Sequence, residues 1–94
     1  MMEKEFKVFA TFREICGGKT VSIAYNENEP IDHLLDKLIE RFPAMHEELF
    51  TEERQIRQHV HVFINGRNVI HLDGLETIVK PEDELALFPP VAGG

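Results

Sequence analysis

Few residues in this sequence are of a type that does chemistry, and most of those lack the partners that chemistry needs. His59 and His61 stand two apart, so on a strand they would share a face and offer two imidazoles to a metal ion, with His71 near them across a hairpin. No cysteine or carboxylate completes a ligand set of recognisable spacing, and no metal site is expected. Cys16 is the single cysteine and cannot form an internal disulfide. Nothing near it supplies the lowered thiol pKa or the orienting carboxylate of a nucleophile, so it reads as a small loop or edge residue. The acidic run Glu47, Glu48, Glu52 and Glu53 reads as a solvated face, with partner steering as the lesser use. What remains is the ending, "LALFPPVAGG". Gly93 and Gly94 have no Cβ, which leaves the Gly94 carbonyl open to attack and lets the pair thread a channel too narrow for side chains. Fully extended, Val91 to Gly94 reach roughly 13–14 Å beyond Pro90. Pro89 and Pro90 preset the exit direction and reduce the entropy lost on insertion. The sequence thus holds no catalytic constellation, and either this ending is dispensable or its lack of side chains is its use.

An ending of this kind needs a body to present it. From Phe6 to Arg13 the pattern alternates, with Phe6, Val8, Ala10 and Phe12 on one face and Lys7, Phe9, Thr11 and Arg13 on the other, which predicts a half-buried strand. Gly17-Gly18 mark a turn, and "TVSIAY" alternates again through Val21, Ile23 and Tyr25, so the two segments read as an antiparallel hairpin. In "EPIDHLLDKLIERFP", Ile31, Leu34, Leu35, Leu38, Ile39 and Phe42 recur at helical spacing between Pro30, near the start, and Pro43, which stops the helix. Residues 44–58 predict a short helix around Met45, Leu49 and Phe50, then a polar loop. Asn65-Gly66 between apolar runs predicts a two-residue hairpin turn, because both positions accept positive φ. Val60, Val62 and Ile64 then face inward, and His61 and Phe63 outward. In the final strand, "ELALF", Leu85 and Leu87 point in while Ala86 and Phe88 point out, and the strand suits a central place beside the first.

One apolar stripe on the helix and one apolar face on each strand are satisfied together by a sheet wrapped over a single helix. That is an α+β, two-layer domain over residues 1–90, with 91–94 as a flexible tail. The size allows one domain and a modest core. With 43% apolar and 29% charged residues the composition is that of a globular chain. The net charge of −7 argues against nucleic acid or an anionic membrane as partner, since both select basic patches. No apolar run approaches the ~20 residues of a membrane span, and the start, "MMEKEFKVFA", lacks the pattern of a signal peptide. A cytoplasmic location is expected. Phe9, Phe63 and Phe88 fall on outward strand positions around Ala86, an aromatic patch of the kind that marks a protein interface, unless residues 44–58 or a second copy cover it.

The stretches "VFATFREICGG", "PIDHLLDKLIERFP", "VFINGRNV" and "DELALFPPVAGG" together resemble the MoaD/ThiS sulfur carriers, and more narrowly the small subunit of molybdopterin synthase. The resemblance implies a ubiquitin-like β-grasp fold, with a mixed sheet of four to five strands on one main helix. It also implies two partners: an E1-like adenylating enzyme, which uses ATP to activate the Gly94 carboxylate, and the large synthase subunit. Sulfur then replaces the adenylate as a thiocarboxylate and passes to a pyranopterin precursor of molybdopterin. No cofactor is bound by the carrier itself. By the same resemblance Gly94 holds the reactive carbonyl with Gly93 before it, and Phe9, Arg13 and Phe88 lie on the side that meets partners. Phe63 joins them from strand alternation, and Pro89, Pro90, Val91 and Ala92 follow into the partner. Two departures stand out. Pro81-Glu82-Asp83-Glu84 replaces the common Asp-Gly-Asp-Glu, removing the glycine of that turn, and "HLDGLETIV" is longer than in the shortest relatives. The longer segment resembles archaeal members, some of which are protein modifiers. The alternative uses of an activated Gly94 are therefore an isopeptide to a lysine or sulfur donation to tRNA, and a non-covalent β-grasp binding module with an idle tail is a further reading.

Overall fold

The strands, helices and turns are seen in a computed structural model that describes residues 2–90. Strand β1 (Met2–Val8) pairs antiparallel with β2 (Thr20–Tyr25), from Met2↔Tyr25 to Lys7↔Thr20. Its other edge pairs in parallel with the last strand, β7 (Leu85–Phe88), through Phe6↔Leu85, Lys7↔Ala86 and Val8↔Leu87. Strand β4 (His61–Ile64) then runs antiparallel to β7, and the two-residue β5 (Arg67–Asn68) closes the order β2-β1-β7-β4-β5. The last strand is therefore central and beside the first, as its apolar character implies.

One face of this mixed sheet is covered by helix α2 (Ile31–Arg41), which buries Ile31, Leu34, Leu35 and Leu38 completely. They meet Phe6, Val8, Val21, Ile23, Val62, Ile64, Leu85 and Leu87 in a single core. The inward and outward assignments on β2, β4 and β7 all hold. Helix α3 (Met45–Leu49) adds Met45 and Leu49 to the same core. The polar loop after it is closed by an isolated Phe50↔Ile56 bridge. There Arg54, at φ 63°, lies 4.3 Å over the Phe50 ring and bonds Asp32 and Asp36 on the wet face of α2. Among the described residues no helix is long and apolar enough to cross a membrane.

The first strand departs from expectation. It ends at Val8 rather than Arg13, and residues Thr11–Cys16 form helix α1, with Phe12 and Cys16 buried. A short apolar run fits either period, and Phe12 and Cys16 are also four apart, the spacing of one helical face. The glycine pair decides between them. Gly17, at φ 74°, takes the left-handed position after the helix, and the N–H groups of Gly17 and Gly18 both donate to the Arg13 carbonyl at 2.8 and 3.2 Å. Ala10 is thus not an inward strand position. The hairpin is instead lengthened at its other end, through Met2 to Glu5.

After β5 a long segment leads back to the sheet. It contains two 3-10 turns, Val69–His71 and Gly74–Glu76, and a strand, β6 (Ile78–Val79). β6 pairs with β3 (Glu29–Pro30) in a second, two-stranded sheet. Strands of two residues are too short for alternation to reveal. The pairing also supplies what the start of α2 lacks in side-chain caps, since the Ile31 N–H donates to the Thr77 carbonyl at 2.8 Å.

The glycine-free turn is built around a lysine. Lys4, only 7% exposed, donates from Nζ to the carbonyls of Lys80, Pro81 and Asp83 at 3.1, 2.6 and 2.9 Å. The turn closes by Asp83 N–H to Lys80 C=O at 3.0 Å. Pro81 occupies the position where its fixed φ is favourable, so no glycine is required. Replacing Lys4 by Met keeps the apolar stem but leaves three carbonyls without their charged donor. Lys4→Met is expected to lower stability by about 2–4 kcal/mol in urea unfolding. A loss under ~0.5 kcal/mol would show that water replaces the ammonium at no cost.

Candidate functional site

On the uncovered face of the sheet the side chains stack on one another. The Phe9 ring, one residue beyond β1, lies parallel to that of Phe88 at the end of β7, with centroids 4.3 Å apart and planes 6° off parallel. Phe63 of β4 meets Phe88 edge-on at 5.2 Å, and His61 stacks on Phe63 at 5.8 Å. At the other end the Arg13 guanidinium sits 5.0 Å over the Phe9 ring while its Nε donates to the Val8 carbonyl at 2.8 Å. Arg13, Phe9, Phe88, Phe63 and His61 thus form one continuous ladder across α1, β7 and β4. Aromatic pairs in these geometries add about 0.5–1.5 kcal/mol beyond area burial, and each ring is half-buried because its neighbours cover it. Alternation placed Phe63 and Phe88 outward, and the structure brings them together with Phe9, just beyond β1, and Arg13 of α1.

The end of the ladder at Phe9 depends on a strained residue. Ala10 has φ 51° and ψ −129°, a left-handed conformation that suits glycine. It turns the chain out of β1 so that the Phe12 N–H reaches the Phe9 carbonyl at 3.0 Å and Arg13 N–H the Ala10 carbonyl at 2.9 Å. Strain of this kind costs about 1–3 kcal/mol. Because the chain turns there, Phe9 and Arg13 approach the same stack from a strand end and a helix. A side-chain pattern alone gives no sign of such a backbone.

The rings, with Ala10, Thr11 and His61, wall a groove of about 390 Å³ that runs to Pro89 and Pro90. Pro89 is buried and Pro90 exposed, so the ladder delivers the chain to the surface at Pro90. Val91, Ala92, Gly93 and Gly94 lie outside the described residues. Residues 44–58 contribute nothing to this groove; their apolar residues Met45, Leu49 and Phe50 are spent on the core.

Comparison with known proteins places this arrangement. The family model described as ThiS family matches residues 6–94. The chain belongs to the ThiS family. These are ubiquitin-like β-grasp sulfur carriers of the MoaD/ThiS type, in agreement with the sequence resemblance. Small archaeal modifier protein 3 of Haloferax volcanii is 38% identical over 93 residues, which covers 99% of this chain and 100% of that protein. The crystal structure of SAMP1 from Haloferax volcanii matches with a TM-score of 0.85 at 32% identity, covering 99% of this chain and 100% of that one. A Pyrococcus furiosus chain whose name assigns it to a molybdopterin converting factor, as subunit 1, matches at TM-score 0.74 and 26% identity over 97% of this chain and 100% of its own.

The other candidate groups take ordinary places in this ThiS-family fold. Cys16 is 9% exposed at the end of α1 rather than in a loop or at an edge. Burial pushes its thiol pKa up, with the Arg41 charge opposing, so it stays protonated at neutral pH. His59 and His61 do not share a strand, because His59 takes φ 69° ahead of β4. No group of three His, Cys, Asp or Glu side chains is arranged to hold a metal ion among the described residues. Glu47, Glu48, Glu52 and Glu53 are all exposed.

Two measurements follow from this geometry. Ala10→Gly is expected to raise stability by about 1 kcal/mol, relief of strain outweighing glycine's chain entropy, whereas Ala10→Val lowers it; equal thermal midpoints for all three proteins would remove the claim of strain. Cys16 is expected to react with iodoacetamide at pH 8 much more slowly than in urea-unfolded protein. Equal rates in the two states would mean that the thiol is open to solvent and not raised.

Proposed function

We propose that the chain carries an activated group on its C-terminal glycine. An E1-like adenylating enzyme uses ATP to join AMP to the Gly94 carboxylate, and a sulfur nucleophile displaces AMP to leave a thiocarboxylate. The large subunit of molybdopterin synthase takes up the tail and passes its sulfur to the pyranopterin precursor. One observation carries this reading: Phe88, at the centre of the aromatic ladder, stands directly before Pro89-Pro90 and the side-chain-poor Val91-Ala92-Gly93-Gly94. The family match extends to residue 94 and supports it, as does the likeness to a chain named for molybdopterin conversion.

Each part has a physical role. Phe9, Arg13, Phe63 and Phe88 form the docking face, where rigid aromatic area binds at low entropic cost. Pro89 and Pro90 aim the tail, Val91 and Ala92 enter the partner, and Gly93 and Gly94 leave the carbonyl unhindered. The chain binds no cofactor and supplies no catalyst; ATP and the catalytic groups belong to its partners. The location is the cytoplasm, and neither nucleic acid nor membrane is a partner.

A second reading has its own support in the modifier proteins, similar at 38% and 32% identity over nearly the whole chain. In that use a lysine amine, rather than sulfur, displaces AMP and forms an isopeptide through Gly94. Sulfur donation to tRNA would share the thiocarboxylate and differ only in acceptor.

Intact mass spectrometry of the protein from its own cells separates these outcomes. The expected result is a gain equal to sulfur replacing oxygen, present in the wild type and lost when Gly94 is deleted. Conjugates through Gly94 to lysines of other proteins, without that species, would favour the modifier. If neither form occurs and the Gly94 deletion keeps full function in cells, the carrier reading fails and a non-covalent binding module takes its place.

A further inference from the structure

A second groove, of about 650 Å³, opens on the far side of Phe63 along the β4–β5 edge. β5 pairs with β4 only at Phe63↔Asn68 and Ile64↔Arg67, and the groove lies beside His61, past the end of this short ladder. Its walls include Arg67, His61 and His71, and no carboxylate. In a chain with 17 acidic and 10 basic residues, such a lining is a local reversal of charge. His61 and Phe63 belong to both grooves, so the cationic edge and the aromatic face are continuous.

The protonation of His61 follows from its neighbours. The Ile70 N–H donates to Asn68 Oδ1 at 3.1 Å, which fixes the orientation of that amide. Asn68 Nδ2 must then be the group 2.9 Å from His61 Nδ1, and since Nδ2 can only donate, Nδ1 accepts. The ring proton of neutral His61 is therefore on Nε2. No acceptor for Nε2–H is present among the described residues, and none of their buried side-chain polar atoms lacks a partner, so Nε2 reaches the surface. His61 presents one oriented donor where the two grooves meet, and Arg67 lines the same groove.

We infer that this edge is a second recognition surface, for an acidic peptide segment of a partner protein. A carboxylate of the segment accepts from His61 Nε2–H, Arg67 pairs with a further carboxylate, and an adjacent apolar side chain rests on Phe63. The inference does not depend on whether Gly94 carries sulfur or forms an isopeptide.

Two experiments on the full chain decide it. Nitrogen-15 NMR of the imidazoles at neutral pH should find His61 Nδ1 unprotonated and Nε2 protonated; the opposite tautomer would remove the donor and the proposal with it. The probe for binding is a labelled peptide, Glu-Glu-Leu-Glu-Glu, with Gln-Gln-Leu-Gln-Gln as control. The acidic peptide should shift resonances of His61, Arg67 and His71, with affinity falling as salt rises. Arg67→Glu should weaken it at least tenfold and Arg67→Lys much less. His61→Phe should also weaken it while preserving the ring stack on Phe63. No shifts at these residues, or equal shifts with the glutamine peptide, would overturn the assignment.

Discussion

The parallel pairing of β1 with β7 is the constraint on which the rest of the molecule depends. It joins residues nearly eighty apart, with Phe6 opposite Leu85 and Val8 opposite Leu87, and sets both ends of the domain side by side. A contact so distant in sequence carries the full entropy of closing the chain between them. Several interactions hold it: four inward apolar side chains buried against α2, and the Lys4 ammonium inside the turn that leads into β7. The Asn65 side chain adds another, donating from Nδ2 to Asp83 Oδ1 at 2.8 Å and accepting from the Glu84 N–H at 2.9 Å. The turn between β4 and β5 is thereby tied to the start of the same strand.

Once β1 and β7 lie together, the two sheet faces have different tasks. The inner face is saturated by α2, α3 and their apolar residues. Among the described residues the outer face has no helix over it, and its large side chains cover one another. Phe9 meets Phe88 only because the residue after β1 and the last residue of β7 reach the same end of the sheet. Arg13 joins because Ala10 reverses the chain within one residue. The ladder is thus a consequence of register and backbone turn, and its position beside Pro89 follows from the same register.

Much of this was legible in the sequence, for physical reasons that differ by element. α2 and Phe42 just beyond it hold six apolar residues at helical spacing between two prolines, β4 alternates cleanly up to Asn65-Gly66 and β7 up to Pro89, so both period and punctuation agree there. The outward set Phe63, Ala86 and Phe88 follows directly from alternation. The stretch after Val8 was not legible, because Ala10, Phe12 and Cys16 satisfy more than one period and the deciding feature is a positive φ at an alanine. Lys4 was equally hidden: an inward lysine on a strand looks like a break in the apolar pattern, and its acceptors are backbone carbonyls far along the chain. The hydrogen bond between Asn68 and His61 depends on cross-strand register, which no local pattern specifies. The tail residues were assigned from their lack of side chains and from resemblance alone.

The distribution of rigidity also bears on how such a chain would work. Binding costs rise with every side chain or segment that must be ordered on association. Here the surface that precedes the tail is ordered in advance: Phe9 is fixed between Arg13 and Phe88, and Phe63 between Phe88 and His61. Pro89 and Pro90 extend that order by limiting φ at two successive positions. The strain at Ala10 is reasonable in this light, since a relaxed glycine there would free Phe9 and move part of the ordering cost to the moment of docking. Lys4 holds the far end of β7 and the ladder holds the near end, so the strand that leads to Pro90 is secured at both. In a sulfur carrier of this family such preordering favours association, because little of the surface before Pro90 is left to be ordered when a partner binds.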